Sequence, residues 1–281
     1  MMQRAQPWLG TLVSISMPAP LPGQNAQASA AIDAAFAAVA LVHRRMSFHD
    51  PASDVTTINR LLPGQSAIVH PQTAVVLRCA LVLEDASDGL FNIACGDLLV
   101  SWHYLPADDR FALSPQRSSP LIRNTIAIDA HDRVTKLRAA LIDLGGIAKG
   151  HAVDLAVAAL RAAGIAAACV NAGGDMRAYG ACDFPVIVRN PQAPTRAGLT
   201  LHLRDQALAT SACYFSTRMV DGVTRSALIN GTDGMPVTGQ RSASVTASTC
   251  MLADGLTKVV IATSDTTHPL LARFSATALL L

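Results

Sequence analysis

The run Ile142-Asp143-Leu144-Gly145-Gly146-Ile147-Ala148-Lys149-Gly150-His151-Ala152-Val153-Asp154 decides how the rest of the chain is read. Just ahead of it, Ala140, Leu141 and Ile142 read as the end of a strand. Beyond it, Ala152 to Ala163 is a periodic apolar segment stopped by Gly164. The stretch is therefore read as strand, tight turn and helix. Paired glycines at such a junction let the backbone turn sharply and approach a ligand, and the N–H groups that open a helix favour an anion. Phosphate is the expected anion. Lys149 strengthens this, because a cation in the first helical turn opposes the macrodipole by about 0.3–1 kcal/mol, and a residue set against its local preference points to a task. The bland alternative is a capped junction with a solvated lysine. Neither G-x-G-x-x-G nor G-x-x-x-x-G-K-[ST] is present, so the run is neither the dinucleotide fingerprint nor a P-loop.

A second glycine pair, in Asn171-Ala172-Gly173-Gly174-Asp175, follows a short apolar strand, Ala166 to Val170, and adjoins an acid. Two such loops from neighbouring elements are expected to face one pocket. Upstream, Thr11 to Ser16 reads as the first strand, and Ala26 to Met46 as a long helix with Ile32, Phe36, Val39, Val42 and Met46 on one face. Ser53 to Asn59 reads as a short capped helix, and Pro71 opens another that Gly89 stops. Thr125–Asp129 and Val134–Leu137 flank a polar turn and suggest a hairpin. Further strands are expected at Pro185–Arg189, Leu199–Leu203, Leu208–Ser211, Arg225–Ile229 and Ser242–Ala247, with a last helix over Thr249–Ala262. On that helix Asp254 and Lys258 stand i, i+4 in the favourable order, which on an exposed face is worth only about 0.2–0.5 kcal/mol. The chain is read as one α/β (α+β) unit over residues 1–281, with a largely antiparallel sheet flanked by helices and no linker.

Composition narrows the function. The formal net charge is +2 and 15% of residues are charged, so there is no basic field to hold nucleic acid. No apolar run approaches the ~20 residues of a membrane span, and no signal peptide precedes the first strand, so the chain as written is expected in the cytoplasm, or in the periplasm if its true start lies upstream. The six cysteines form no C-x-x-C pair and the eight histidines no zinc spacing. Trp102, His103 and Tyr104 gather aromatic rings in a chain that is only 4% aromatic, either as core packing or as a stacking surface for a flat ligand.

Asp143-Leu-Gly-Gly-Ile-Ala-Lys-Gly with Asp154 downstream, Asn171-Ala-Gly-Gly-Asp175, and Ser244-Val-Thr with Ala253-Asp254-Gly-Leu256 together resemble the ApbE family of FAD:protein FMN transferases. Gly10-Thr11, Met46-Ser47-Phe48, Ser53 to Asn59, Ser87 to Phe91 and Leu99 to Tyr104 fall in the same order, so the resemblance covers nearly the whole chain. It implies an ApbE-like, T-fold-like architecture and an enzyme that cleaves the FAD pyrophosphate with magnesium, passes FMN to a Thr or Ser hydroxyl of a client flavoprotein and releases AMP. By the resemblance, Met46, Trp102, His103, Tyr104 and Leu228 contact flavin or nucleotide, and Asp143 and Lys149 contact FAD. Lys149 and Asp175 serve catalysis, and Mg2+ takes Asp254 and a main-chain carbonyl near Gly146.

Two positions depart from the family pattern. Lys258 replaces the usual threonine metal ligand four residues after Asp254, and Ala227-Leu228-Ile229-Asn230-Gly231-Thr232-Asp233-Gly234 lacks the usual histidine at Ala227. The resemblance therefore implies attenuated transfer, with magnesium weak or replaced by Lys258. The alternatives are a non-catalytic FAD-binding or client-docking protein of the same fold and, further off, an unrelated nucleotide-phosphate enzyme.

Overall fold

The computed structural model describes residues 1–111, 121–214 and 217–281, with the side chains of 193–198 left aside. The chain opens on a hairpin, β1 (Met2–Trp8) and β2 (Thr11–Met17). Leu9 and Gly10 turn it with φ of 56° and 71°, the left-handed two-residue geometry that matches strand twist. Only β2 was expected from the sequence. β1 is an edge strand with no fully buried residue, so it lacks a clean apolar alternation, and the edge tolerates Pro7.

In chain order follow α1 (Asn25–Met46), α2 (Asp54–Arg60), β3 (Ser66–Ile68), α3 (Pro71–Ala86), α4 (Gly96–Ser101), β4 (Ile126–Ile128), β5 (Arg133–Lys136) and α5 (Ala148–Ala162). Then come β6 (Ala168–Ala172), β7 (Asp175–Tyr179), β8 (Phe184–Asn190), β9 (Ala193–Leu203), β10 (Ala207–Ala212), β11 (Arg218–Val220) and β12 (Val223–Arg225). β13 (Ser242–Ala247), α6 (Cys250–Thr263), α7 (Pro269–Arg273) and β14 (Thr277–Leu280) complete it.

Seven strands form the main sheet in the order β1-β2-β6-β7-β10-β13-β14, every neighbouring pair antiparallel. Period-two alternation sends Val13, Ile15, Val170, Ala209 and Val245 to one face, where α1, α5 and α6 cover them as the large core. Met176, Ala178 and Leu208 point to the other face and pack under the β8–β9 hairpin with Phe184, Val186 and Leu203. α1 is the one described helix long and apolar enough to cross a membrane by length and composition. Here it packs its face from Ala28 through Ile32, Phe36 and Val39 to Met46 into that core.

Two expectations are corrected. Ala140–Ile142 is no strand, because side chains take the place of a neighbouring strand. The buried Asn59 amide gives and accepts one bond each with the Ile142 backbone (2.9 and 2.8 Å), and Asp97 accepts the Leu141 N–H at 2.8 Å. α5 starts at Ala148, where the Leu144 carbonyl accepts the Ala148 N–H at 2.8 Å and winds the turn directly into the helix, so Lys149 stands in the first helical turn as expected. Arg225–Ile229 is not a strand either. β12 ends at Arg225, and beyond it Ile229 makes only an isolated bridge to Pro236.

Candidate active site

The segment from Asp143 to Lys149 enters one side of a cleft of about 1080 Å³, just above the range of roughly 300–1,000 Å³ usual for small-molecule sites. Gly145 and Gly146 line it together with Gly173 and Gly174, so the two glycine loops do face one pocket. The pairs earn their place differently. Gly173 and Gly174 adopt φ of 65° and 106°, and a Cβ on Gly173 would meet Thr11 Oγ1 at 2.5 Å. Gly145 and Gly146 stay out of the left-handed region, and what they provide is room. A Cβ on Gly145 would sit 2.9 Å from Asp143 Oδ2, which accepts the Gly145 N–H, and one on Gly146 would sit 3.4 Å from Lys258 Cε.

At the floor of the cleft four charges converge from three elements. Lys149, in the first turn of α5, donates to Asp175 at the start of β7 and stands 3.7 Å from Asp254 Oδ2 on α6. Lys258, one turn on, donates to Asp254 Oδ1, to the Asp254 carbonyl (3.0 Å) and to Thr257 Oγ1 (3.2 Å). Asp254 Oδ2 also accepts the Gly150 N–H at 3.1 Å. Burial alone would push the Lys149 ammonium down, but the Asp175 and Asp254 carboxylates outweigh it and hold it above the ordinary lysine range. Burial, reinforced by the Asp254 charge, pushes the Asp175 carboxyl up against the opposing pull of the two lysines. Burial also raises Asp143, opposed by the Gly145 N–H.

The helices that carry these groups lock together at their N-termini. Asp154 on α5 accepts the N–H groups of Cys250 (3.0 Å) and Met251 (2.9 Å), Thr249 accepts that of Leu252, and Arg177 also holds Asp154, at 2.6 Å from the oxygen that accepts from Cys250. A Cβ on Gly150 would lie 2.3 Å from the Cys250 carbonyl, so glycine alone allows the two backbones to touch.

Of the residues singled out in the sequence, Met46, Tyr104, Asp143, Gly146, Lys149, Leu228 and Lys258 line the cleft, as does Ala227. Asp175 and Asp254 lie behind the lysines, fully buried. Trp102 and His103 are not in the wall. Trp102 is buried under the Arg225 guanidinium, 4.9 Å from its ring, and His103 is exposed, with a left-handed φ of 60° and its carbonyl bonded to Arg218. Tyr104 is tied down by its hydroxyl, which donates to the Arg225 carbonyl at 3.1 Å. His43, His49 and Arg189 also line the cleft, and no motif marked them. They arrive there only because the end of α1, the loop after it and β8 meet.

A sequence model of the ApbE family matches residues 9–280. The chain belongs to the ApbE family. An FAD:protein FMN transferase of Vibrio cholerae is 27% identical over 230 residues, covering 76% of this chain and 68% of the relative. One of Rhodobacter capsulatus is 30% identical over 221 residues, covering 74% of this chain and 42% of the relative. In fold, the ApbE protein of Thermotoga maritima superposes with a TM-score of 0.83 at 24% identity, over 99% of this chain and 93% of that one. The flavinyl transferase ApbE of Pseudomonas stutzeri gives 0.79 at 21% identity, over 99% and 89%.

The magnesium ion implied by the family resemblance does not fit the donors present. Both Asp254 oxygens are engaged, one by the Lys258 ammonium and the other by the Gly150 N–H with Lys149 close by. Mg2+ needs near-octahedral oxygen ligation and tolerates no ammonium in its shell. Among the described residues no group of three or more His, Cys, Asp or Glu side chains converges to hold a metal.

Proposed function

We propose that this ApbE-family chain is an FAD:protein FMN transferase, and the observation that carries the reading is the floor of the cleft. There the two buried acids hold two lysines that line the cleft together with the glycine loops. That floor suits a pyrophosphate. The cleft, at about 1080 Å³, has room for the flavin beyond it, against Met46, Tyr104 and Leu228. The hydroxyl oxygen of a client Thr or Ser attacks the flavin-side phosphorus, a P–O bond forms to that oxygen, the bond to the AMP-side bridging oxygen breaks, and AMP leaves with the electron pair. Lys149, kept protonated by Asp175 and Asp254, stabilises the charge that builds on the pyrophosphate, often the largest contribution to such catalysis. The hydroxyl proton has no acceptor at Ala227, whose side chain carries no titratable group, and passes to water. General-base help is worth about 10²–10⁴-fold, so transfer is expected to be slow rather than absent.

The test is mass spectrometry of a flavin-acceptor peptide incubated with FAD, together with AMP release. The expected result is slow FMN transfer that Ala227→His accelerates. No FMN on the peptide with either protein would instead favour a non-catalytic, FAD-binding member of the family.

A further inference from the structure

The four-charge cluster is electrically balanced but not symmetric in exposure. The side chains of Asp175 and Asp254 are 1% and 0% exposed, whereas those of Lys149 and Lys258 are 31% and 14% exposed. The buried carboxylates hold the ammonium groups in place, and of the four residues it is the two lysines that line the cleft. Lys258 is not a surface ion pair. Its ε-carbon lies over Gly146, 3.4 Å from where a Cβ would be, and its nitrogen lies against Asp254. It therefore spans the two groups, Asp254 and the Gly146 backbone, between which the family resemblance sets a divalent ion.

Resting on the FAD reading above, we propose that Lys258 is a built-in cation that takes the place of the divalent ion: with Lys149 it binds the pyrophosphate of FAD and neutralises its charge, without a metal. Lys258 supplies +1 where magnesium would supply +2, beside the Lys149 that the family pattern already has, but it does so as a hydrogen-bond donor from a fixed scaffold, so it recognises phosphate oxygens without the strict octahedral shell of magnesium. The donor that reaches the ligand is the one Lys258 now gives to Thr257. At 3.2 Å this is the longest of its three bonds, and Thr257 has other partners in Ser211 (2.7 Å) and the Asp254 carbonyl (2.6 Å). Releasing it leaves no group unsatisfied.

The test titrates the full chain with FAD, FMN and inorganic pyrophosphate by flavin fluorescence and calorimetry, in EDTA and again with excess magnesium. Wild type is expected to bind FAD and pyrophosphate equally well in both. Lys258→Met should weaken both ligands about tenfold or more in EDTA, and FMN, which lacks the pyrophosphate, far less. Lys258→Thr should bind FAD weakly in EDTA and regain affinity with magnesium. Removing Lys258 alone leaves Asp254 buried with one cation fewer, so the double variant Asp254→Asn/Lys258→Met, which restores neutrality, is measured beside it and should show the same loss. Wild type that needs magnesium to hold FAD, or Lys258 variants that bind FAD and pyrophosphate unchanged, would overturn the built-in cation and leave the flavin reading standing. Pyrophosphate bound through Lys258 in EDTA without any FAD binding would do the reverse. Binding of neither ligand under either condition would overturn both.

Discussion

Lys136 shows how one side chain ties stability to pH away from the cleft. It is fully buried at the end of β5, donating to the Ala140 carbonyl, and burial pulls its pKa down from 10.5 to about 8 against the opposing charge of Asp97. Between those two values the unfolded chain holds a proton on Lys136 that the folded chain does not, so stability rises with pH across the window. The lysine destabilises the fold most fully below the lower value, where the ammonium must stay buried. Lys136→Met should flatten this rise by up to about 3 kcal/mol between pH 8 and 10.5, as read from urea unfolding of both proteins across that range. The comparison of slopes matters more than the absolute stabilities, because the variant also leaves the Ala140 carbonyl without its donor. Identical slopes would mean that the ammonium is as well solvated in the fold as out of it.

At the scale of elements, the pair α5 and α6 makes the site. Asp154 stabilises the start of α6 and is itself held by Arg177 of β7, so one carboxylate connects the helix bearing Lys149, the strand headed by Asp175 and the helix bearing Asp254 and Lys258. Asp154→Ala should cost about 0.5–2 kcal/mol for the lost cap, and more for the stranded N–H groups and guanidinium. It should also weaken FAD binding although Asp154 is not in the cleft wall. Urea unfolding and a flavin titration on the same preparation check this. Lost stability with unchanged FAD affinity would show that α6 keeps its place by packing alone.

Across the whole molecule, the cleft draws its wall from Leu9 near one end of the chain to Lys258 near the other, so a ligand there is felt by global unfolding rather than by one loop. FAD at a hundredfold excess over its dissociation constant should add about 2.7 kcal/mol to stability, seen as a raised unfolding temperature. FMN at the same concentration should add less, since it offers the floor of the cleft a single phosphate. Equal shifts from the two flavins would remove the pyrophosphate subsite from the account.

Periodicity within the chain was enough to place α1, α3, α6 and the β4–β5 hairpin close to their observed limits, since the apolar faces of these elements are written in local spacing. The same local text carried the two glycine loops and, through their company, the family. It could not carry β1, whose edge position demands little burial, or the run at Ala140–Ile142, whose partners are the side chains of Asn59 and Asp97 far along the chain. Nor could it choose between the two fates of Asp254 and Lys258. The i, i+4 spacing allowed a solvated pair as readily as a buried one. Only the antiparallel register of β6 with β7, which sets Asp175 beside Lys149, and the backbone contact at Gly150, which turns Asp254 inward, decided that these four charges meet at the floor of one cleft. Local sequence fixes which face of an element is apolar. Which charges face one another depends on how the elements pack.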